Sequence, residues 1–148
     1  METNNSFEVR TARKHKSIRS RKDLVRHARP VISKSNVSAQ DVIQFLNGAH
    51  EDHVVVTKTG NEPVREYIIH YRPGCPNTAR AIRAIEKLPN QVRLILHSAN
   101  DTSKNKKLLA FLSKEYPDKP VTYPRIFTQD GHLVGGATEL IEFLQQLE

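Results

Sequence analysis

The chain holds a single cysteine, Cys75, and no tryptophan. One cysteine excludes an internal disulfide and with it the stapled framework of a small secreted domain. An intracellular reducing compartment is therefore the expectation, the cytoplasm first, with nucleus or organelle left open. No run approaches the roughly 20 apolar residues of a membrane span. Met1 to Asn5 carries no apolar signal core. Arg10 to Arg29 is basic and nearly free of acids, as in a transit peptide, but Glu2 and Glu8 stand where such peptides avoid acids. Phosphate-cradling Gly loops, paired catalytic carboxylates and a Ser-His-Asp order are all missing. His50-Glu51-Asp52-His53 has neither a helix across it nor a partnering cluster, so it reads as a surface loop and no metal site is expected.

Apolar residues make up 37% of the 148 residues, enough for one modest core with an appended segment. The charge divides the chain in the same way. Residues 1–34 hold ten Lys/Arg and three acids, a net +7, and the rest holds thirteen of each sign. Residues 1–36 thus read as a basic arm that is disordered or folds on a partner, because few large apolar side chains offset its ordering entropy. A short helix over Lys22 to Ala28 would end at Arg29-Pro30. Arg13, Lys14, Lys16, Arg19, Arg21, Lys22, Arg26 and Arg29 are the candidates for contact with nucleic acid or an acidic partner, since such cations displace counterions from phosphates. Aromatics are absent between Phe7 and Phe45, so any nucleic-acid contact would lack base stacking.

Residues 37–65 read as a helix and a connecting segment packed on the domain. Ser38 can cap a helix in which Val42, Phe45 and Leu46 share a face and Gly48 is the stop. Val54-Val55-Val56 is β-branched and suits a strand, and Thr59 to Pro63 has turn chemistry. From Glu66 the pattern is clearer. Glu66–Tyr71 reads as a strand, Cys75–Leu88 as a helix, Gln91–His97 as a strand and Thr102–Tyr116 as a helix. Thr122–Thr128 and His132–Val134 flank a Gln129-Asp130-Gly131 turn, and Thr138–Leu147 closes as an amphipathic helix. The order βαβαββα is that of a layered α/β domain over residues 66–148.

Three blocks within it are similar to glutaredoxins: Tyr71-Arg72-Pro73-Gly74-Cys75-Pro76-Asn77-Thr78, Val121-Thr122-Tyr123-Pro124-Arg125-Ile126-Phe127, and Gly135-Gly136-Ala137-Thr138-Glu139-Leu140. Cys75, Thr122 and Gly135 are separated by 46 and 12 residues, so order and spacing both fit. The resemblance covers 66–148 and implies a thioredoxin-like fold of glutaredoxin type. It implies glutathione as cofactor, Cys75 as the nucleophile, and a proline at Pro124 that is cis beside the thiol. It assigns glutathione binding to Arg72, Pro76, Asn77, Thr122, Tyr123, Pro124, Gly135, Gly136, Ala137, Thr138 and Glu139. Thr78 is the candidate donor of a hydroxyl hydrogen bond to the thiolate, and Lys106 and Lys107 are candidates for a further basic ligand.

The physical reasons agree with this. A thiolate is the nucleophile in disulfide exchange, and a helix N-terminus favours it with free N–H groups. Pro76 suits the first helical turn, where a missing donor costs nothing. The sequence also departs from the family. Thr78 stands where a second cysteine is usual, so only a monothiol route remains, which implies deglutathionylation of protein substrates. Asn77 replaces a tyrosine, and Glu139 a shorter aspartate. Pro76 stiffens the loop against bridging an iron–sulfur cluster. The competing expectation is a catalytically weak or inactive glutaredoxin-like binding module anchored through its basic arm.

Overall fold

The computed structural model describes residues 7–12, 30–48, 54–100, 102–118 and 122–146. Its strands form where apolar side chains alternate. In β3 (Val54–Lys58) every second side chain is buried, and β5 (Asn90–Ser98) buries Val92, Leu94 and Leu96 on one face. Between and around these come β1 (Phe7–Ala12), β2 (Pro30–Val37), β4 (Glu62–Tyr71), β6 (Arg125–Thr128) and β7 (Leu133–Gly135). They make one seven-stranded sheet in the order β2-β1-β3-β5-β4-β6-β7. Among the described residues only the β4–β5 pair is parallel; the other five ladders are antiparallel. The helices described are α1 (Ala39–Leu46), α2 (Pro76–Glu86), α3 (Thr102–Glu115) and α4 (Ala137–Gln146). None of them is long and apolar enough to cross a membrane.

From β4 onward the order is βαβαββα, as the sequence pattern predicts. Two strand starts differ most, and one of them is β6, which begins at Arg125 rather than Thr122. The strand expected from Glu66 begins at Glu62, and Pro63 falls inside a shift of register between Glu62 and Arg65. A residue without an N–H is tolerated there because the ladder is already broken. The connection before it is therefore only Thr59 to Asn61. Gly60 makes that possible: a Cβ on it would lie 2.3 Å from the Pro89 carbonyl oxygen.

Residues 1–36 need a larger correction. They were expected to be disordered or to fold on a partner, yet Phe7–Ala12 and Pro30–Val37 are strands, and β1 joins β3 in the register Phe7↔Lys58 and Val9↔Val56. Phe7 is 1% exposed and Val9 4%. The argument from composition fails here because the segment need not bury a core of its own. It lays two apolar side chains on a core that β3 and α1 already supply. Val54–Val56 likewise joins the sheet. The helix expected over Lys22–Ala28 and the His50–His53 loop lie outside the described residues.

One face of the sheet carries the main core. Val56, Leu94, Ile69 and Ile126 from four strands meet Val42 and Leu46 of α1, Ile82 and Ile85 of α2, and Leu140 and Leu144 of α4. Ser38 and Asp41 form a reciprocal capping box at the start of α1. The next free amide, of Ala39, donates to the Glu86 carboxylate at 2.8 Å and ties α1 to the end of α2. Lys58 is fully buried where β3 ends. Its ammonium donates to the Leu88 carbonyl at the end of α2 and to the Asn90 carbonyl at 3.4 Å. Burial holds its pKa below the usual lysine range. Ile95, Phe127 and Leu112 are buried outside that core, the first two on the strand faces opposite Leu94 and Ile126.

Phe7→Ala tests the revised role of the N-terminal segment. Removing a ring that is 1% exposed costs about 3 kcal/mol, read as a lower urea midpoint at unchanged slope. An unchanged midpoint would put residues 7–12 back outside the fold.

Candidate functional site

The centre of the sheet converges on one end of β4. The strand finishes at Tyr71, whose carbonyl accepts from the Ala99 amide at 2.7 Å. The chain then turns through Gly74, at φ +79°, a conformation that suits glycine. The Cys75 amide donates back to the Arg72 carbonyl at 3.1 Å, and the Cys75 carbonyl accepts from the Thr78 amide at 3.1 Å. Cys75 is thus the N-cap of α2, in an extended conformation, with Pro76 at the first helical position.

The thiol does not cap the helix. It is half-buried and faces the next loop, where Sγ lies 3.7 Å from the carbonyl oxygen of Tyr123, within reach of a weak S–H donation. The Tyr123–Pro124 peptide is cis. Tyr123 is held from two sides. The Arg72 guanidinium lies 5.9 Å from its ring centroid, and the His70 imidazole meets it edge-on at 5.4 Å. β4 and β6 place these groups together, because they pair antiparallel with His70 opposite Arg125.

The Gly pair closes the third side. Gly135 has φ +127°, and a Cβ there would lie 2.8 Å from the side chain of Glu139. A Cβ on Gly136 would lie 3.6 Å from the Pro124 carbonyl oxygen, so the pair runs directly under the proline loop. Ala137 is buried, and Thr138 and Glu139 are exposed on the first turn of α4. Arg80 joins the two helix starts: it donates to Asn77 Oδ1 at 3.1 Å and to Thr138 Oγ1 at 3.4 Å.

No family model, no curated protein and no solved structure matches the chain.

The three blocks singled out in the sequence therefore meet in space, around Cys75, the Tyr123 carbonyl and the first turn of α4. Arg72, Pro76, Asn77, Thr122, Thr138 and Glu139 are exposed at its rim. Thr78 departs from expectation. It is 5% exposed, and its hydroxyl has no hydrogen-bond partner, so it does not donate to the sulfur. As the third residue of α2 its side chain turns toward the core rather than back toward the cap. Lys106 and Lys107 are exposed on α3. All eight cations from Arg13 to Arg29 lie outside the described residues. Among the described residues no group of His, Cys, Asp and Glu could hold a metal ion.

Two contributors were not foreseen. Arg80 follows Asn77 by three residues, a spacing that was readable, but its bond to Thr138 spans 58 residues of sequence. The second is His70, which faces the Tyr123 ring. It is 2% exposed, Nδ1 has no partner, and its neighbours in register are Arg125 and His97. Burial, and then the Arg125 charge, push its pKa down to about 4. The imidazole is consequently neutral at pH 7, which avoids two adjacent buried cations.

That neutrality makes stability depend on pH with a definite sign. The unfolded chain protonates His70 below about 6.5 while the folded chain waits until about 4, so stability is lost as pH falls through this window. His70→Phe keeps an aromatic beside Tyr123 and removes the proton site. Relative to wild type it gains about 3 kcal/mol between pH 7 and pH 4 in urea melts. Parallel pH profiles for the two proteins would refute this.

Proposed function

We propose that the chain is a glutathione-dependent monothiol oxidoreductase of glutaredoxin type, with a thioredoxin-like domain over residues 66–148 and Cys75 as its nucleophile. The observation that carries the reading is the placement of Sγ at the cap of α2, 3.7 Å from the Tyr123 carbonyl. A thiol there sits at the N-terminal, positive end of the α2 dipole and beside a backbone that can pair with an extended peptide. The sheet order β5-β4-β6-β7, with β4 and β5 parallel and β6 and β7 antiparallel, supports the fold assignment.

In the proposed reaction the Cys75 thiolate attacks the glutathione sulfur of a protein–glutathione mixed disulfide. The S–S bond breaks, the protein leaves as thiolate and takes a proton, and a Cys75–glutathione disulfide forms. A second glutathione thiolate attacks that disulfide at the glutathione sulfur, giving oxidised glutathione and free Cys75. With no second cysteine in the chain, this exchange has no intramolecular branch.

The residues divide the work. The Tyr123 N–H and C=O would pair with the cysteinyl part of glutathione. The start of α4, at Ala137 and Thr138, would receive the γ-glutamyl carboxylate with its free amides. Arg72, exposed beside the Tyr123 ring, would meet the other carboxylate with a guanidinium fork. Glu139 folds back over Gly135, so it shapes the turn as well as lining the site. A reducing compartment would keep Cys75 in its working form.

The test is glutathione-dependent turnover of a glutathionylated peptide by the full chain and by Cys75→Ser. The proposal predicts turnover that falls at least about a thousandfold on substitution, the background being uncatalysed exchange. A folded wild-type chain with no turnover would refute the enzyme and leave the binding-module reading.

A further inference from the structure

Helices α2 and α4 pack against each other, and both begin beside the thiol loop, where Arg80 bonds to Asn77 and Thr138. Leading away from that point, between them, lies a groove of about 400 Å³. Its apolar lining is Ala84 and Leu88 from the α2 side, and Ile141 and Leu144 from α4. Its rim is Arg80, Arg83 and Lys87, all exposed and spaced to share one face of α2. Among the described lining residues there is no acid and no aromatic side chain. The hydrogen bonds of Arg80 and Arg83 go to neutral groups, Asn77, Thr138 and Gln40, so their charge is left to act outward.

We infer that this groove docks an amphipathic, acidic helix of a partner protein. An apolar floor with a one-sided cationic rim asks for an occupant with aliphatic side chains on one face and carboxylates along its flank, which is helix-in-groove recognition. The chain's own N-terminal segment has the wrong sign, since residues 1–34 carry net +7. Single-stranded nucleic acid would find phosphate partners but no ring to stack on, and it would leave the aliphatic floor uncovered. The inference goes beyond the thiol chemistry and does not need it, because no lining residue reacts. If the chain is also a reductase, the groove's position would bring a bound protein alongside Cys75.

The probe is a fluorescein-labelled helical peptide of about four turns, leucines on one face and glutamates on its flanks, titrated with the full chain by anisotropy. A second peptide carries lysine for each glutamate. Arg83→Glu combined with Lys87→Glu reverses the rim at two exposed positions and leaves the floor and Cys75 intact; circular dichroism checks the fold. The inference predicts that the glutamate peptide binds, that the reversed rim weakens it about tenfold or more, and that the Ile141 and Leu144 methyl resonances shift on binding. Three results would overturn it: binding of the glutamate peptide that is unaffected by rim reversal, which puts the peptide on the basic N-terminal segment; equal binding of the lysine peptide; or single-stranded DNA displacing the peptide from the methyl-shifted groove. Cys75→Ser binds as wild type, so loss of turnover and loss of docking are read separately.

Discussion

The contact between the Cys75 sulfur and the Tyr123 carbonyl is the constraint on which the site depends. It joins two loops that are 48 residues apart in sequence. The sheet makes it possible, because β4 and β6 are neighbours and the thiol loop leaves the end of β4 while the Tyr123 loop enters β6. Each flank of Tyr123 is then explained. Arg72 covers one side from the thiol loop, and His70 supports the other from inside β4. A neutral imidazole is what the position tolerates, with Arg125 opposite it on β6. The Gly135-Gly136 pair passes beneath the same proline with no room for a side chain at Gly135. Site and scaffold are thus one piece of packing, and the third element, α4, starts where the first two meet.

The rest of the sheet serves this arrangement by supplying mass to the core. β3 joins the outer edge of β5, and β1 and β2 continue it, so that α1 and α2 rest on a broader floor. A small domain gains from such additions because burial rises steeply with size. The polar tie at Lys58 belongs to the same logic. A buried ammonium where β3 ends meets the carbonyls of Leu88, just past the end of α2, and of Asn90, at the start of β5, and so ties that connection to β3.

Periodicity carried most of the architecture. Val92, Leu94 and Leu96 marked one face of β5, and Leu140 and Leu144 marked the inner stripe of α4, because each element buries one side and leaves the other wet. The site was legible through the order of its three blocks, with a cysteine before a proline at a strand–helix junction. What could not be read had two physical sources. Phe7 and Val9 are two apolar positions in a charged segment, and their burial is set by the edge of β3, which local composition cannot report. Arg80 with Thr138, and His70 with Tyr123, are pairs made by tertiary approach, so each residue alone reads as an ordinary surface cation or core histidine. Thr78 shows the reverse error: a position beside the nucleophile suggested a hydrogen bond, and the helical phase turned the hydroxyl inward.

The measurement that bears most directly on the central contact is the reaction of the full chain with oxidised glutathione, followed by intact mass and by backbone amide resonances. The account predicts one glutathione adduct, on Cys75, with the largest amide shifts at Tyr123 and at Ala137 to Glu139. An adduct that leaves the Tyr123 and Ala137 amides unmoved would mean that the thiol reacts without the loop it faces, and would contradict the site as described.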